Sequence, residues 1–184
     1  MDQIFVNYRR EGGAYAAALL DELLSEQFGE DRVFRASRSI LAGSDFARSI
    51  LSAVEGCSVM LVIIDAEWSG KFDIPENDAS PTCDWVLREI EEAFKFGRLV
   101  IPVLLSGVGR LCARDLPESV AFLADLQYLR FDYRNIRKDS DYMVEQLIRA
   151  CPDIAMIKDS DCQGSVLLRW IRRLSRSLGQ GGEK

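Results

Sequence analysis

The chain has 184 residues, 48% of them hydrophobic and 28% charged, and a net charge of −6. That length suits one domain with a core of its own, and the balance argues against disorder. An acidic chain with a pI near 4.8 lacks the basic surface of a general nucleic-acid binder, so no nucleic-acid partner is expected.

Ile4-Phe5-Val6-Asn7-Tyr8 opens the chain as a short buried strand. Gly12-Gly13 breaks it, and Ala14 to Phe28 reads as a helix with Leu19, Leu20, Leu23 and Leu24 on its apolar side. Gly29 ends that helix. Val33-Phe34-Arg35 is a second strand, and Ala36 to Ser44 is a polar loop. Asp45 begins a further helix. Val59 to Ile64 is apolar throughout, as expected of a strand covered on both faces. Asp65 to Asp84 is a long insertion, a length that goes with function or mobility. Then come a helix over Trp85–Phe96, a strand over Leu99–Leu105, a short helix within Asp115–Ala124, an edge strand over Gln127–Phe131 and a helix over Asp141–Ala150. This alternation implies a parallel sheet with helices on both faces, which binds ligands beyond the carboxyl ends of its strands. The tail breaks the rhythm, with an amphipathic helix over Ser165–Leu178 whose Arg169, Arg172, Arg173 and Arg176 form a basic face, and a glycine-rich end.

The cysteines (Cys57, Cys83, Cys112, Cys151, Cys162) are odd in number and form no CxxC pair, so reduced buried thiols are expected. No charged-then-apolar leader opens the chain, and its apolar runs are too short to span a bilayer. A cytoplasmic protein without a membrane partner is the expectation. Histidine is absent, which removes Ser–His–Asp and Cys–His catalysis and every imidazole metal site. No metal is expected.

Three segments resemble TIR domains of the bacterial type. They are Phe5-Val6-Asn7-Tyr8-Arg9-Arg10, the stretch Val33 to Phe46, and Asp84-Trp85-Val86-Leu87-Arg88-Glu89-Ile90-Glu91, which has the Trp-x-x-x-Glu spacing of NAD⁺-cleaving members. They stand in family order, and the resemblance runs from about residue 3 to about residue 150. It implies a flavodoxin-like three-layer α/β sandwich with a five-stranded parallel sheet over 1–152, followed by an extension over 153–184 with the C-terminal helix. It also implies hydrolysis or cyclisation of NAD⁺ as substrate with no cofactor, self-association through TIR–TIR contacts or with a partner or effector protein, and a place in bacterial antiviral defence or nucleotide signalling. The resemblance assigns Glu89 as the catalytic residue and sets Tyr8, Arg9, Arg10 and Trp85 in or beside the NAD⁺ site. Phe34, Ser37, Arg38 and Trp68 complete the candidate substrate contacts.

The chemistry is consistent with a chain of this composition. Glycosidases use two carboxyls, one of them to protonate the leaving group. Nicotinamide leaves a cationic ring as a neutral base, so one carboxylate facing the developing positive charge suffices. Trp85 and Glu89 are neighbours on one helical face. Val86, Ile90 and Ala93 form a different face, which places Glu89 away from the core, with an indole beside it to stack on a base.

Each of these residues also has a plainer reading. Glu89 in Glu89-Ile90-Glu91-Glu92 is a solvated helix charge when taken alone. Arg9 and Arg10 suit phosphate contact, or are surface arginines at a strand end beside Tyr8. Trp68 walls a pocket or packs under the long loop. Many NAD⁺-cleaving members carry an aspartate where this chain has Ala36, and Arg35, Ser37 and Arg38 make the loop basic instead. A different dinucleotide, a site completed by a neighbouring subunit and ordinary surface variation all fit that change. Two alternatives to NAD⁺ cleavage follow: a non-catalytic TIR scaffold, and a nucleoside deoxyribosyltransferase-like enzyme with the same layout and a catalytic Glu.

Overall fold

In the computed structural model, residues 3–72 and 84–155 are described. Strand β1 (Ile4–Tyr8) leads into helix α1 (Arg10–Phe28), followed by β2 (Val33–Phe34) and the single turn α2 (Ala36–Ser39). Helix α3 (Phe46–Gly56), strand β3 (Val59–Ile64), helix α4 (Trp85–Lys95) and strand β4 (Leu99–Leu105) come next. Strand β5 (Leu129–Phe131) and helices α5 (Ile136–Ala150) and α6 (Pro152–Ala155) complete the order. Short 3-10 turns cover Ser69–Phe72, Ala113–Asp115 and Glu118–Ala124.

The five strands form one sheet in the order β2-β1-β3-β4-β5, and every pair is parallel. Helices α3 and α4 and the turn Glu118–Ala124 pack on one face against Phe5, Met60, Val62 and Leu104. Helices α1 and α5 pack on the other against Ile4, Val6, Leu61 and Val103, and α6 returns Ile154 to that core. The three-layer α/β sandwich is thus present. All six residues of β3 are buried, which is why its sequence shows no alternation. The chain leaves β1 for β2 on one side and then crosses to β3 on the other. The carboxyl ends of β1 and β3 are therefore the switch point, where sheets of this order bind ligands in a crevice.

Several boundaries move. The expected loop 36–44 contains α2, a turn too short to show periodicity. Asp45 stands one residue before α3 as its cap, accepting a hydrogen bond from Arg48 N. The edge strand shortens to Leu129–Phe131. Helix α5 begins five residues before Asp141, at Ile136. Residues 73–83 of the insertion and the expected helix over 165–178 lie outside the described residues.

Candidate functional site

Helix α4 sets the site. Asp84 caps its start, with its carboxylate accepting from Val86 N at 3.1 Å and Leu87 N at 3.3 Å. The same carboxylate pairs with Arg9, the residue after β1. The Arg9 guanidinium also lies 4.8 Å from the Phe72 ring centroid and 6.0 Å from that of Trp68. The start of α4 is thereby fastened to the end of β1.

One turn further along, Glu89 is 7% exposed. This corrects the expectation that it points away from the core. Its turn of α4 also buries Ile90 and Ala93, and the Glu89 side chain reaches the end of β1 instead of solvent. There Asn7 Nδ2 donates to Glu89 Oε2 at 2.7 Å and to the carbonyl of Val86 at 3.1 Å. Burial pushes the Glu89 carboxyl up to about 8; the Asn7 bond opposes that rise and the nearby Asp84 charge adds to it. Among described residues Oε1 has no hydrogen-bond partner in the protein. A carboxyl held at one oxygen and open at the other, in a low-dielectric crevice, can meet a cation with little loss of interaction to water.

Trp85 is half-buried. Phe46 meets it edge-on at 5.6 Å, and the Arg88 guanidinium lies 5.0 Å from its ring centroid. Trp85 thus stands one turn before Glu89 on α4, flanked by Phe46 and Arg88.

The other candidates divide. Tyr8 donates to Ser37 Oγ at 3.1 Å, so β1 and α2 meet at the crevice mouth. Arg10 is exposed. Trp68 is fully buried and stands edge-on to Phe72 at 4.9 Å, which makes it packing beneath the Arg9 guanidinium. Phe34 is not at the site: it is 8% exposed and stacks on Phe5 at 5.0 Å within the core. Arg38 is also turned elsewhere, pairing with the buried Asp21 of α1 at 2.7 Å and donating to the Val33 carbonyl at 2.6 Å. The basic charge of this loop is spent on bracing β2, because Arg35 pairs with the same Asp21 at 2.8 Å.

Asn7 and Asp84 join the site only through the fold. Asn7 had a signal, a polar side chain in an apolar strand that must find a partner when buried. Asp84 had one too, an aspartate directly before a helix. No group of three or more potential metal ligands occurs among the described residues. No helix among them is long and apolar enough to cross a membrane.

A family model for the TIR domain matches residues 4–148. The chain belongs to the TIR domain family. Among solved structures, this TIR domain is similar to that of the Toll-related Receptor TRR-2 from Hydra magnipapillata, with a TM-score of 0.51 and 19% identity over 81% of this chain and 99% of that one. At that identity the likeness is one of fold. The TIR domains of the activated Roq1 resistosome align at 14% identity and a TM-score of 0.47, over 97% of this chain and 99% of that one. A metazoan TIR-STING receptor from C. gigas aligns at 18% and 0.48, over 97% of this chain and 52% of that one, so the TIR domain here spans about half of that receptor. No curated protein matches the chain.

Proposed function

We propose that this TIR domain cleaves the nicotinamide–ribose bond of NAD⁺, with Glu89 as the catalytic residue. The observation that carries the reading is the placement of Glu89, which is buried at the switch-point crevice and held at Oε2 with Oε1 open. In the proposed step the C1′–N bond breaks and both its electrons go to nicotinamide, which departs neutral without a proton donor. The ionised Glu89 faces the positive charge that grows on the ribose. Water then adds at C1′ and loses a proton to give the linear product, or an adenine nitrogen adds to give the cyclic one. Trp85 supplies the rim against which a base stacks.

Arg9 and Arg38 are engaged within the protein. The exposed Arg10 is the guanidinium left for phosphate contact, and Tyr8 and Ser37, hydrogen-bonded to each other, remain candidates for the ribose. Purified protein is expected to consume NAD⁺ and release nicotinamide, most strongly at concentrations that favour self-association, and Glu89→Ala is expected to abolish this while the fold persists. Continued turnover in the folded variant would refute the assignment. Nucleosides assayed beside NAD⁺ separate a deoxyribosyltransferase from this activity.

One observation favours a second reading. Leu41, in the loop before α3, is 80% exposed, and Phe46 is 45% exposed. An apolar rim of this kind suits contact between copies of the chain. A scaffold would show concentration-dependent association with no NAD⁺ loss in any assembly state.

A further inference from the structure

The geometry points to Asn7 as a positioning residue for Glu89, one that fixes one carboxyl oxygen, favours the ionised form and leaves the other oxygen turned to the ligand. This rests on the reading of Glu89 given above and deepens it.

Asn7 is wholly buried on β1, and its two amide protons have two acceptors on α4, the Val86 carbonyl and Glu89 Oε2. A flipped amide would set Asn7 Oδ1 against both of those oxygens, acceptor against acceptor. The Val86 carbonyl therefore locks the donor side toward Glu89 whatever the protonation state of the carboxyl. The arrangement leaves Asn7 Oδ1 buried without a partner. A side chain present only to fill space in β1 would be apolar, like its neighbours Phe5 and Val6, and would avoid that penalty. A donor fixed on a carboxyl oxygen favours the charged form.

The remaining surroundings offer Glu89 little help. Besides burial, the groups that act on the Glu89 carboxyl are Asn7, which favours its charged form, and Asp84. Asp84 at the helix start is like-charged, and Arg9 from the β1 side offsets it. Asn7 is thus the group that counters burial.

The test is a direct titration of Glu89 in the full chain, by carbon NMR of glutamate labelled at its side-chain carboxyl, with Glu89→Gln to assign the resonance. Asn7→Ala is expected to raise the Glu89 midpoint by at least about one pH unit, and Asn7→Asp, which adds a like charge, by more. Asn7→Ser, which keeps one donor, is expected to fall between wild type and Asn7→Ala, and it carries the test if Asn7→Ala does not fold. An unchanged midpoint in the folded variants overturns the proposal. NAD⁺ turnover measured in parallel keeps the two claims apart. A moved midpoint with no turnover in wild type supports the role of Asn7 and removes the enzymatic reading. With turnover present, the acid limb of kcat/KM is expected to move with the NMR midpoint, which simple loosening of the fold would not produce.

Discussion

The carboxylate of Asp65 occupies the space that a side chain on Gly12 would need. A Cβ built at Gly12 stands 2.7 Å from Asp65 Cγ and 2.9 Å from each carboxylate oxygen. Gly12 also has φ +94°, in the region that L side chains adopt only with strain. Asp65 cannot swing away freely, because its Oδ1 accepts from Glu67 N at 2.9 Å. The break between β1 and the regular part of α1 is therefore shaped around the end of β3. Gly12→Ala is expected to cost about 2–4 kcal/mol, lowering the melting temperature by roughly 5–15 °C. In an Asp65→Ala background only the backbone strain remains, and the cost is expected to fall to about 1–2 kcal/mol. A double-mutant cycle with no coupling between the two positions would show that they do not meet.

Asp21 is the anchor for the loop that follows β2. Its carboxylate is 1% exposed and takes both Arg35 and Arg38, while β2 itself is joined to β1 through only Val33 and Phe34. Removing the anion leaves two guanidinium groups facing a neutral site. Because the arginine side chains are 18% and 30% exposed, water offsets part of the loss. Asp21→Asn is expected to destabilise the protein by about 1–2 kcal/mol. Amide exchange is expected to quicken first at Val33 and Phe34 and through α2. A uniform change across the sheet, with β2 no different from β3, would contradict this account.

The apolar rim at Leu41 and Phe46 gives a prediction on assembly. Leu41 has almost no contact to lose within one copy, so Leu41→Asp is expected to change stability by less than about 0.5 kcal/mol. If copies meet through this rim, the charge is expected to weaken self-association at least tenfold by sedimentation, and to lower NAD⁺ consumption most at high protein concentration. Equal association of wild type and variant would place the contact elsewhere.

Elements were legible where periodicity or uniform burial marks the sequence. Strands β1, β3 and β4 and the body of α1 sit where their apolar runs place them, because most of each run packs in the core. The start of α5 was not legible, since Ile136 is the lone apolar residue of its first turn and the next position on that face, Ser140, is polar. That turn is tied instead to the end of β5, through Asp139 accepting from Asp132 N at 2.8 Å. At the site, the pairing of Trp85 with Glu89 on one helix could be read from spacing. The depth of Glu89 could not, because a helical wheel orders side chains around an axis without saying how close the sheet lies. Its bond to Asn7 joins residues 82 positions apart. The turn of Arg38 toward Asp21 likewise depends on how β2 meets α1.

Glu89 ties stability to pH in a direction opposite to that of an ordinary surface carboxylate. Its folded midpoint is raised from 4.5 to about 8, chiefly by burial. Between those two values the unfolded chain has released a proton that the folded chain retains, so stability falls as pH rises. The contribution of the neutral carboxyl is whole below about pH 4.5, declines through neutrality and is gone above about pH 8. Glu89→Gln keeps a neutral group of the same size that can still accept from Asn7, and it does not titrate. Wild type and variant are expected to be similar near pH 5 and to diverge as pH rises, the variant becoming more stable by roughly 2–4 kcal/mol at pH 8 to 9 in denaturant unfolding. Parallel curves across that range would mean that Glu89 is ionised throughout. The same titration bears on catalysis, since the proposed step needs the carboxylate. In the free protein kcat/KM for NAD⁺ is expected to climb with pH toward a plateau above about 8, because this parameter follows the unliganded enzyme. The limb in kcat is expected at lower pH, because a bound nicotinamide cation draws the proton off Glu89.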